Sequence, residues 1–413
     1  MANAFKYVDW VGMESLRLLL NKLQVAQFFN TDHEKEFNKE FAVGDTIRVK
    51  LPQRFITRDS LVYNPQAINR LNTTIVVDQI VGCDFEYDSI EAALKMERGK
   101  DQIRKQYLDP LTNQIAQDID SRCANWVRKH ANNHVGVLGT DPTTFKAISG
   151  GARQRMIELA CPAGGEKGMI IPPRVNTELV SSAAAYFNPS GDISKQYKEG
   201  SIGRQGGFDW YESMSLYSHT AATWAAAVTV TTTVVDGAST LALTCTNGDT
   251  FKEGDSFTIA DCYAVNPSTR RSTGSLKQFV VRSADQTISG TSVAALAISP
   301  TIYGPNHQYQ NVSVLPVAGK ALTLWNGTTS PNGKIGTIGA AIHRDAFALV
   351  GVKLEVPKAV EWAVQHQDPD TGLAFRIVRA WDQSQSKMTT RADTLFGFGD
   401  LYPDSCAVKV LSA

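Results

Sequence analysis

Phe251-Lys252-Glu253-Gly254-Asp255-Ser256-Phe257-Thr258-Ile259 reads as a Gly-Asp turn launching an alternating strand, inside a Thr-, Ala- and Gly-rich block, residues 219–319, with almost no helical signal. Further short runs at Leu241–Cys245, Phe279–Arg282 and Val293–Ile298, separated by turn residues, predict a small barrel of about six short strands. On either side the chain reads as mixed helix and strand. Ala341-Ile342-His343-Arg344-Asp345-Ala346-Phe347 and Arg391-Ala392-Asp393-Thr394-Leu395-Phe396-Gly397 resume that pattern after the block. The simplest organisation is one α+β host fold interrupted by an inserted β-domain.

Upstream, Leu16, Leu19, Leu20 and Leu23 form one stripe of an amphipathic helix. The polar run Asn30 to Glu40 tethers it, so the stripe docks elsewhere, on its own core or on a neighbouring subunit. Gly44-Asp45 then turns into a strand in which Ile47, Val49 and Leu51 alternate with Arg48 and Lys50. A return strand over Asn72 to Gln79 completes a long hairpin carrying Arg48, Lys50, Arg54 and Arg58. A free two-stranded ribbon is marginal in water, so this one either lies against another surface or belongs to a larger local sheet.

Asp88-Ser89-Ile90-Glu91 has the form of a capping box opening a short helix to about Arg98. Asp109-Pro110 starts a second helix, with Leu111, Ile115, Ile119, Cys123 and Trp126 on one face over about 22 residues, or ~33 Å. Another helix is expected over Thr177 to Phe187.

The 413 residues allow two or three domains, and 43% hydrophobic content supplies real cores. Forty-one basic and forty-one acidic residues cancel, which excludes a global pull toward nucleic acid or anionic membranes. The six cysteines lack C-x-x-C spacing and read as reduced thiols of a cytosolic protein. No secretory signal or membrane-length apolar run is read, so a soluble protein is expected.

The search for chemistry yields no catalytic, cofactor or metal assignment. His130 and His134, four apart at the end of the long helix, have no acidic third ligand beside them and read as a polar C-terminal turn. Asp368-Pro369-Asp370-Thr371-Gly372 reads as a hairpin turn, since it lacks the downstream glutamate of a calcium loop. Gly203-Arg204-Gln205-Gly206-Gly207-Phe208 lacks the lysine and hydroxyl of a phosphate loop. His343 is expected at a half-buried turn and helix start. A β-rich hydrolytic enzyme remains an alternative, and it would require a deep polar pocket with paired carboxylates.

Taken together, Ala341 to Val350 with Leu354-Glu355-Val356-Pro357, then Leu373 to Val378 with Trp381-Asp382, Arg391 to Gly397 and Leu401-Tyr402-Pro403-Asp404, resemble the P22-type coat family of tailed bacteriophages. Ile202-Gly203-Arg204-Gln205, Gly207-Phe208-Asp209 and Gly254-Asp255 are similar to stretches before and within that family's insertion.

The resemblance implies the HK97-like capsid fold. Its parts would be an N-terminal arm (1–30), an extended β-hairpin loop (31–82), a peripheral domain with the spine helix (83–145), an axial domain (146–218), an inserted β-barrel domain (219–319), and the rest of the axial domain with C-terminal peripheral strands (320–413). It implies a major capsid protein that self-assembles as hexamers and pentamers into an icosahedral shell around double-stranded DNA. Scaffolding and portal proteins would be partners, with assembly in the host cytoplasm and residence in the virion. Subunit contacts fall to Leu16, Leu19, Leu20 and Leu23 of the arm and Arg48, Lys50, Arg54 and Arg58 of the hairpin. An encapsulin-like nanocompartment shell would share the fold. Thr220 to Val235 departs from the family's longer polar loop, which leaves the contacts of the insertion open.

Overall fold

The computed structural model describes residues 12–19, 22–32, 46–59, 61–63, 65–68, 71–88, 109–183, 202–325, 333–358, 360–368, 372–384 and 387–413. Two compact units are present. One comprises Met1–Lys50, Asn72–Cys123 and Phe347–Leu401, the other Leu51–Leu71, Ala124–Ala346 and Tyr402–Ala413.

The first unit is organised by the strand Lys387–Asp400. Along one edge it pairs antiparallel with Asn72–Asp88, from Ile75↔Gly399 to Asp88↔Lys387, across a register shift between Val77 and Gln79. Two successive partners share its other edge: Ala374–Asp382 beside residues 387–393, then Phe347–Val352 beside residues 395–400. Thr46–Lys50 and Trp362–Gln367 complete the six strands as edges. From Ala392 to Gly399 the central strand is buried except at the half-buried Leu395, so it is covered on both faces as well as paired on both edges. Phe396 and Phe398 meet edge to face, with centroids 5.5 Å apart.

Gly397 is required by a close approach. A Cβ there would drive into the Val76 carbonyl and stand 2.6 Å from Val77 Cα.

The helix α1, Asp109–His130, buries Leu111, Ile115, Ile119 and Cys123, the stripe expected from spacing. It ends at His130, so His134 lies instead in the strand Asn133–Val135. The difference arises because the backbone after Ala131 is captured by a parallel ladder with Ala407–Leu411. Two other expectations shift as well. Asp88 closes a strand that runs nine residues past Gln79, while residues 89–108 lie outside the described residues. The third helix starts earlier, at Pro173, and is described to Ala183.

In the second unit a seven-stranded sheet has the order Asn133–Val135, Ala407–Leu411, Ile335–His343, Lys167–Ile171, Phe208–Glu212, Arg204–Gln205, with Ser218–Thr220 also paired to Ile335–His343. Helices α2 (Gly151–Glu158) and α3 (Pro173–Ala183) join its core through Ala152, Met156, Val175 and Leu179 against Met169, Ile171, Ala341 and Val408. His343 is therefore a buried strand end rather than a helix start, because Phe347–Val352 continues as a strand. The glycine-rich stretch forms a two-residue hairpin, with Gly206 and Gly207 both at positive φ.

A second sheet in this unit runs Leu322–Leu324, Ser256–Val265, Ser272–Val281, Ser292–Ile302, Ala238–Thr244, Thr229–Val230. The bridge Thr229↔Ala321, supported by Leu322 N–H donating to the Val228 carbonyl at 2.9 Å, brings the last strand back beside the first. Phe257, Ile259, Phe279, Val281, Leu241, Leu243 and Leu296 fill the interior. The sheet reaches past residue 319 because Leu322–Leu324 must pair with Phe257–Ile259.

Replacing Gly397 by alanine should cost about 1–3 kcal/mol through overpacking of the Val76–Val77 backbone. Urea unfolding checks this: an unchanged midpoint would remove the argument that this glycine is dictated by backbone approach.

Candidate assembly surfaces

Thr46–Lys50 is an edge strand, with Arg48 and Lys50 exposed beyond its ladder to Asn72–Val76. The described residues of the connection Leu51–Leu71 form no helix or strand, and bonds among them include Leu51 N–H to the Leu71 carbonyl at 3.0 Å, Gln53 Nε2 to the Ala67 carbonyl at 3.0 Å, and Ile56 N–H to Gln66 Oε1 at 2.8 Å. Arg58 is exposed and donates to the Val62 carbonyl, whereas Arg54 is half-buried.

The same connection exposes Phe55, Leu61, Val62, Tyr63 and Ile68, with Leu61 and Tyr63 at 102% and 80% exposure. Sequence reasoning fixed on the cations and passed over these apolar side chains, which follow no strand or helix period. Large apolar side chains collected on one exposed segment mark an interaction surface.

The arm leucines have a different fate. Leu16, Leu19 and Leu23 are buried within this chain, and Leu20 lies outside the described residues. Residues 12–19 are helical, and the chain then turns onto α1, where Asp120 takes three backbone amides. Its Oδ2 accepts from Gln24 at 2.7 Å, and its Oδ1 from Val25 and Ala26 at 3.1 and 3.0 Å. Lys22 Nζ donates to the Asp109 carbonyl at 2.8 Å. Phe29 stacks on Phe347 at 5.6 Å, and Asn30 exchanges backbone bonds with Phe347 and Leu349. Burial pushes the Asp120 carboxyl up to about 6, against the three amides that pull it down. The sequence signal was a carboxylate adjoining an apolar helical stripe.

In the second unit Asp255, fully buried, gathers four donors. Oδ1 accepts from His219 Nε2 at 2.8 Å and Trp325 Nε1 at 3.1 Å, and Oδ2 accepts from the amides of Ala222 and Lys252, both at 3.2 Å. Arg128 donates to His219 Nδ1 at 2.7 Å, so that nitrogen accepts and Nε2 carries the proton aimed at Asp255. Lys409, on the strand Ala407–Leu411, reaches the Gly254 carbonyl at 2.6 Å and Ser256 Oγ at 3.3 Å, and burial drives its ammonium well below its ordinary value. Lys277 pairs with Asp404 at 2.5 Å. These contacts tie the 229–324 sheet to the strands beside it. His134 is packed here too, its amide bonded to Gln278 Oε1 at 2.9 Å, and burial lowers its ring to about 3. His130 instead stacks on Trp126 at 3.6 Å.

A cleft of about 460 Å³ beside this network is lined by Arg128, Lys129, Tyr217, Lys252, Glu253 and Asp285 among others. It does hold two carboxylates, as the enzyme alternative requires. Each, however, is ion-paired, Glu253 with Lys129 and Asp285 with Lys252 at 2.9 Å, an arrangement suited to holding loops rather than to trading protons. The Asp368–Gly372 turn closes a hairpin through Gly372 N–H donating to the Asp368 carbonyl at 3.0 Å, with residues 369–371 outside the described residues. No described helix is long and apolar enough to cross a membrane.

The family model "P22 coat protein - gene protein 5" matches residues 36–411. No curated protein matches. Among solved structures, the chain is similar to that of Mycobacterium phage Che8, with 12% identity, 94% of this chain and 90% of that one covered, and a TM-score of 0.45. It is also similar to the capsid structure of the Cyanophage P-SCSP1u, with 12% identity, 94% and 86% covered, and a TM-score of 0.44. The CUS-3 coat protein I-domain matches 25% of this chain and 96% of its own, at 23% identity and a TM-score of 0.19. The chain belongs to the P22 coat protein family; it is a major capsid protein of the phage head shell, with a structural role.

Two outcomes follow from the buried carboxylates. The folded state binds an extra proton on Asp120 between about pH 4 and about pH 6, so its contribution to stability grows as pH falls through that window and is lost as pH rises above it. The stability advantage of wild type over Asp120→Asn should therefore be larger at about pH 4.5 than at about pH 7 in urea titrations. Asp255→Ala strands His219, Trp325 and two amides and should cost roughly 3–5 kcal/mol, more than Lys409→Met, which keeps the length of the side chain and removes its charge. Equal losses for the two variants would show that Asp255 is not the hub.

Proposed function

We propose that this coat protein grips its neighbours in the shell through the connection Leu51–Leu71 and the basic edge strand before it. The observation that carries this reading is the exposure of Phe55, Leu61, Val62, Tyr63 and Ile68 on one irregular segment, together with the exposure of Arg48, Lys50 and Arg58. Apolar contacts supply most of the adhesion. The cations supply register against acidic neighbours. Many identical modest interfaces then give a stable shell through symmetry and multivalency while letting misplaced subunits leave.

In this reading Leu16, Leu19 and Leu23 serve assembly by fixing the arm on its own subunit, with Asp120 as its clasp. Leu20 belongs to the same stripe. The 229–324 sheet is an inserted domain within an axial domain, and α1 is the spine of a peripheral one. The subunits form hexamers and pentamers around double-stranded DNA. A chain with 41 basic and 41 acidic residues suits a lining from which packaged DNA must exit. Scaffolding and portal proteins take part, and assembly precedes release of the virion from the host cytoplasm.

Changing Arg48, Lys50, Arg54 and Arg58 together to glutamate should abolish shells while leaving folded monomer, and Leu61→Ser with Tyr63→Ser should do the same without a change in charge. Negative-stain microscopy beside light scattering reads both. Normal shells from either variant would count against the loop assignment, and circular dichroism separates failed assembly from failed folding.

A further inference from the structure

Cys161 and Cys406 are 245 positions apart, yet their sulfurs lie 3.5 Å from one another. The contact is built by the fold. Cys161 follows α2 in a turn closed by its own N–H donating to the Met156 carbonyl at 2.8 Å, with Ala160 at φ 58°. Cys406 ends the short helix α4 (Pro403–Cys406) and leads into Ala407–Leu411, and α2 shares a core with that strand through Ala152, Met156, Val408 and Val410.

The two thiols are unequal. Cys161 is half-exposed, and its sulfur–sulfur contact with Cys406, helped by Lys167, favours its thiolate; Cys406 is fully buried, and the same contact together with burial holds it protonated. His343 places a ring nitrogen within 4.8 Å of both sulfurs. Its Nε2 lies 2.6 Å from the Gly164 carbonyl, which requires Nε2 to donate, while Nδ1 accepts from the Asp345 amide at 3.1 Å. Both ring nitrogens are thus engaged, which favours a thiol pair over a metal centre at this cluster.

We propose that Cys161 and Cys406 are a peroxide-reactive pair that closes a disulfide between the turn after α2 and the strand Ala407–Leu411. The Cys161 thiolate attacks one oxygen of hydrogen peroxide, the O–O bond breaks, and a sulfenic acid forms as the other oxygen leaves and becomes water. The Cys406 sulfur then attacks the Cys161 sulfur. The S–S bond forms, the S–O bond breaks, and the departing hydroxide takes the Cys406 proton to give a second water. In sum, two thiols lose two electrons and two protons to one peroxide, which is reduced to two waters. The sulfurs must close from 3.5 Å to about 2.05 Å, a shift within reach of side-chain rotation and the Cys161 turn. The proposal does not rest on the shell reading, since both thiols belong to one chain.

The test uses the full purified chain, reduced and then treated with one equivalent of hydrogen peroxide. Non-reducing peptide mapping should show two of the six thiols lost and the peptides of Cys161 and Cys406 joined. The thermal midpoint should rise and return when a reductant is added. Cys406→Ser should stop at a Cys161 sulfenic acid that a carbon nucleophile such as a cyclic 1,3-dione traps, and Cys161→Ser should leave Cys406 reduced. Separate peptides with both thiols intact, or a different pairing, would overturn the proposal. So would one zinc ion retained per chain after dialysis and lost in Cys161→Ser, which would make the cluster a metal site.

Discussion

A strand paired along both edges and covered on both faces leaves its backbone little access to water, and Lys387–Asp400 is such a strand from Ala392 to Gly399. Every partner must then present a donor or acceptor in register. That demand fixes Asn72–Asp88 from Ile75 onward and divides the opposite edge between Ala374–Asp382 and Phe347–Val352. It also explains the composition of the strand. Gly397 sits where the Val76–Val77 backbone comes too close for a side chain, and the buried Asp393 is tolerated because Arg376 Nη2 donates to it at 2.6 Å and Arg391 Nε at 2.7 Å. Phe29 is then placed by the same strand directly, against Phe398, and by its neighbour, against Phe347.

The second unit meets a different constraint with similar means. Its two large sheets come together where Lys409 of one reaches Gly254 and Ser256 at the start of a strand of the other, and such a junction of apolar layers would slip without a polar registration point. Asp255 supplies it, because four donors from three separate segments converge on one carboxylate. Non-directional packing decides that the layers meet, and directional bonds decide how.

The division between what the residues disclosed and what they withheld follows the range of each interaction. The stripe of α1, the Gly-Asp turn before Ser256–Val265 and the hairpin at Asp368–Gly372 are local, and their signals lie within one window of the chain. His134 and His343 were misplaced because distant strands capture their backbone, and no window around either residue contains Ala407–Leu411 or Lys167–Ile171. The exposure of Arg48 and Lys50 was legible by alternation, whereas that of Phe55, Leu61 and Tyr63 was not, since these three follow no strand or helix period. The Cys161–Cys406 contact lies at the limit of this blindness: two cysteines without a motif become neighbours only when α2 meets its strand.

The long ladder between Asn72–Asp88 and Lys387–Asp400 also sets a timetable. About 300 residues separate the two strands, and at ribosomal speeds of roughly 5–20 residues per second the first waits on the order of 15–60 s for the second. During that interval the edge that will meet Lys387–Asp400 is unpaired, a state that invites pairing with other chains. The 229–324 sheet faces no such delay, because all its strands emerge within a hundred residues of one another. In a nascent chain all the strands of the 229–324 sheet have therefore been made while Asn72–Asp88 still lacks its partner near residue 400.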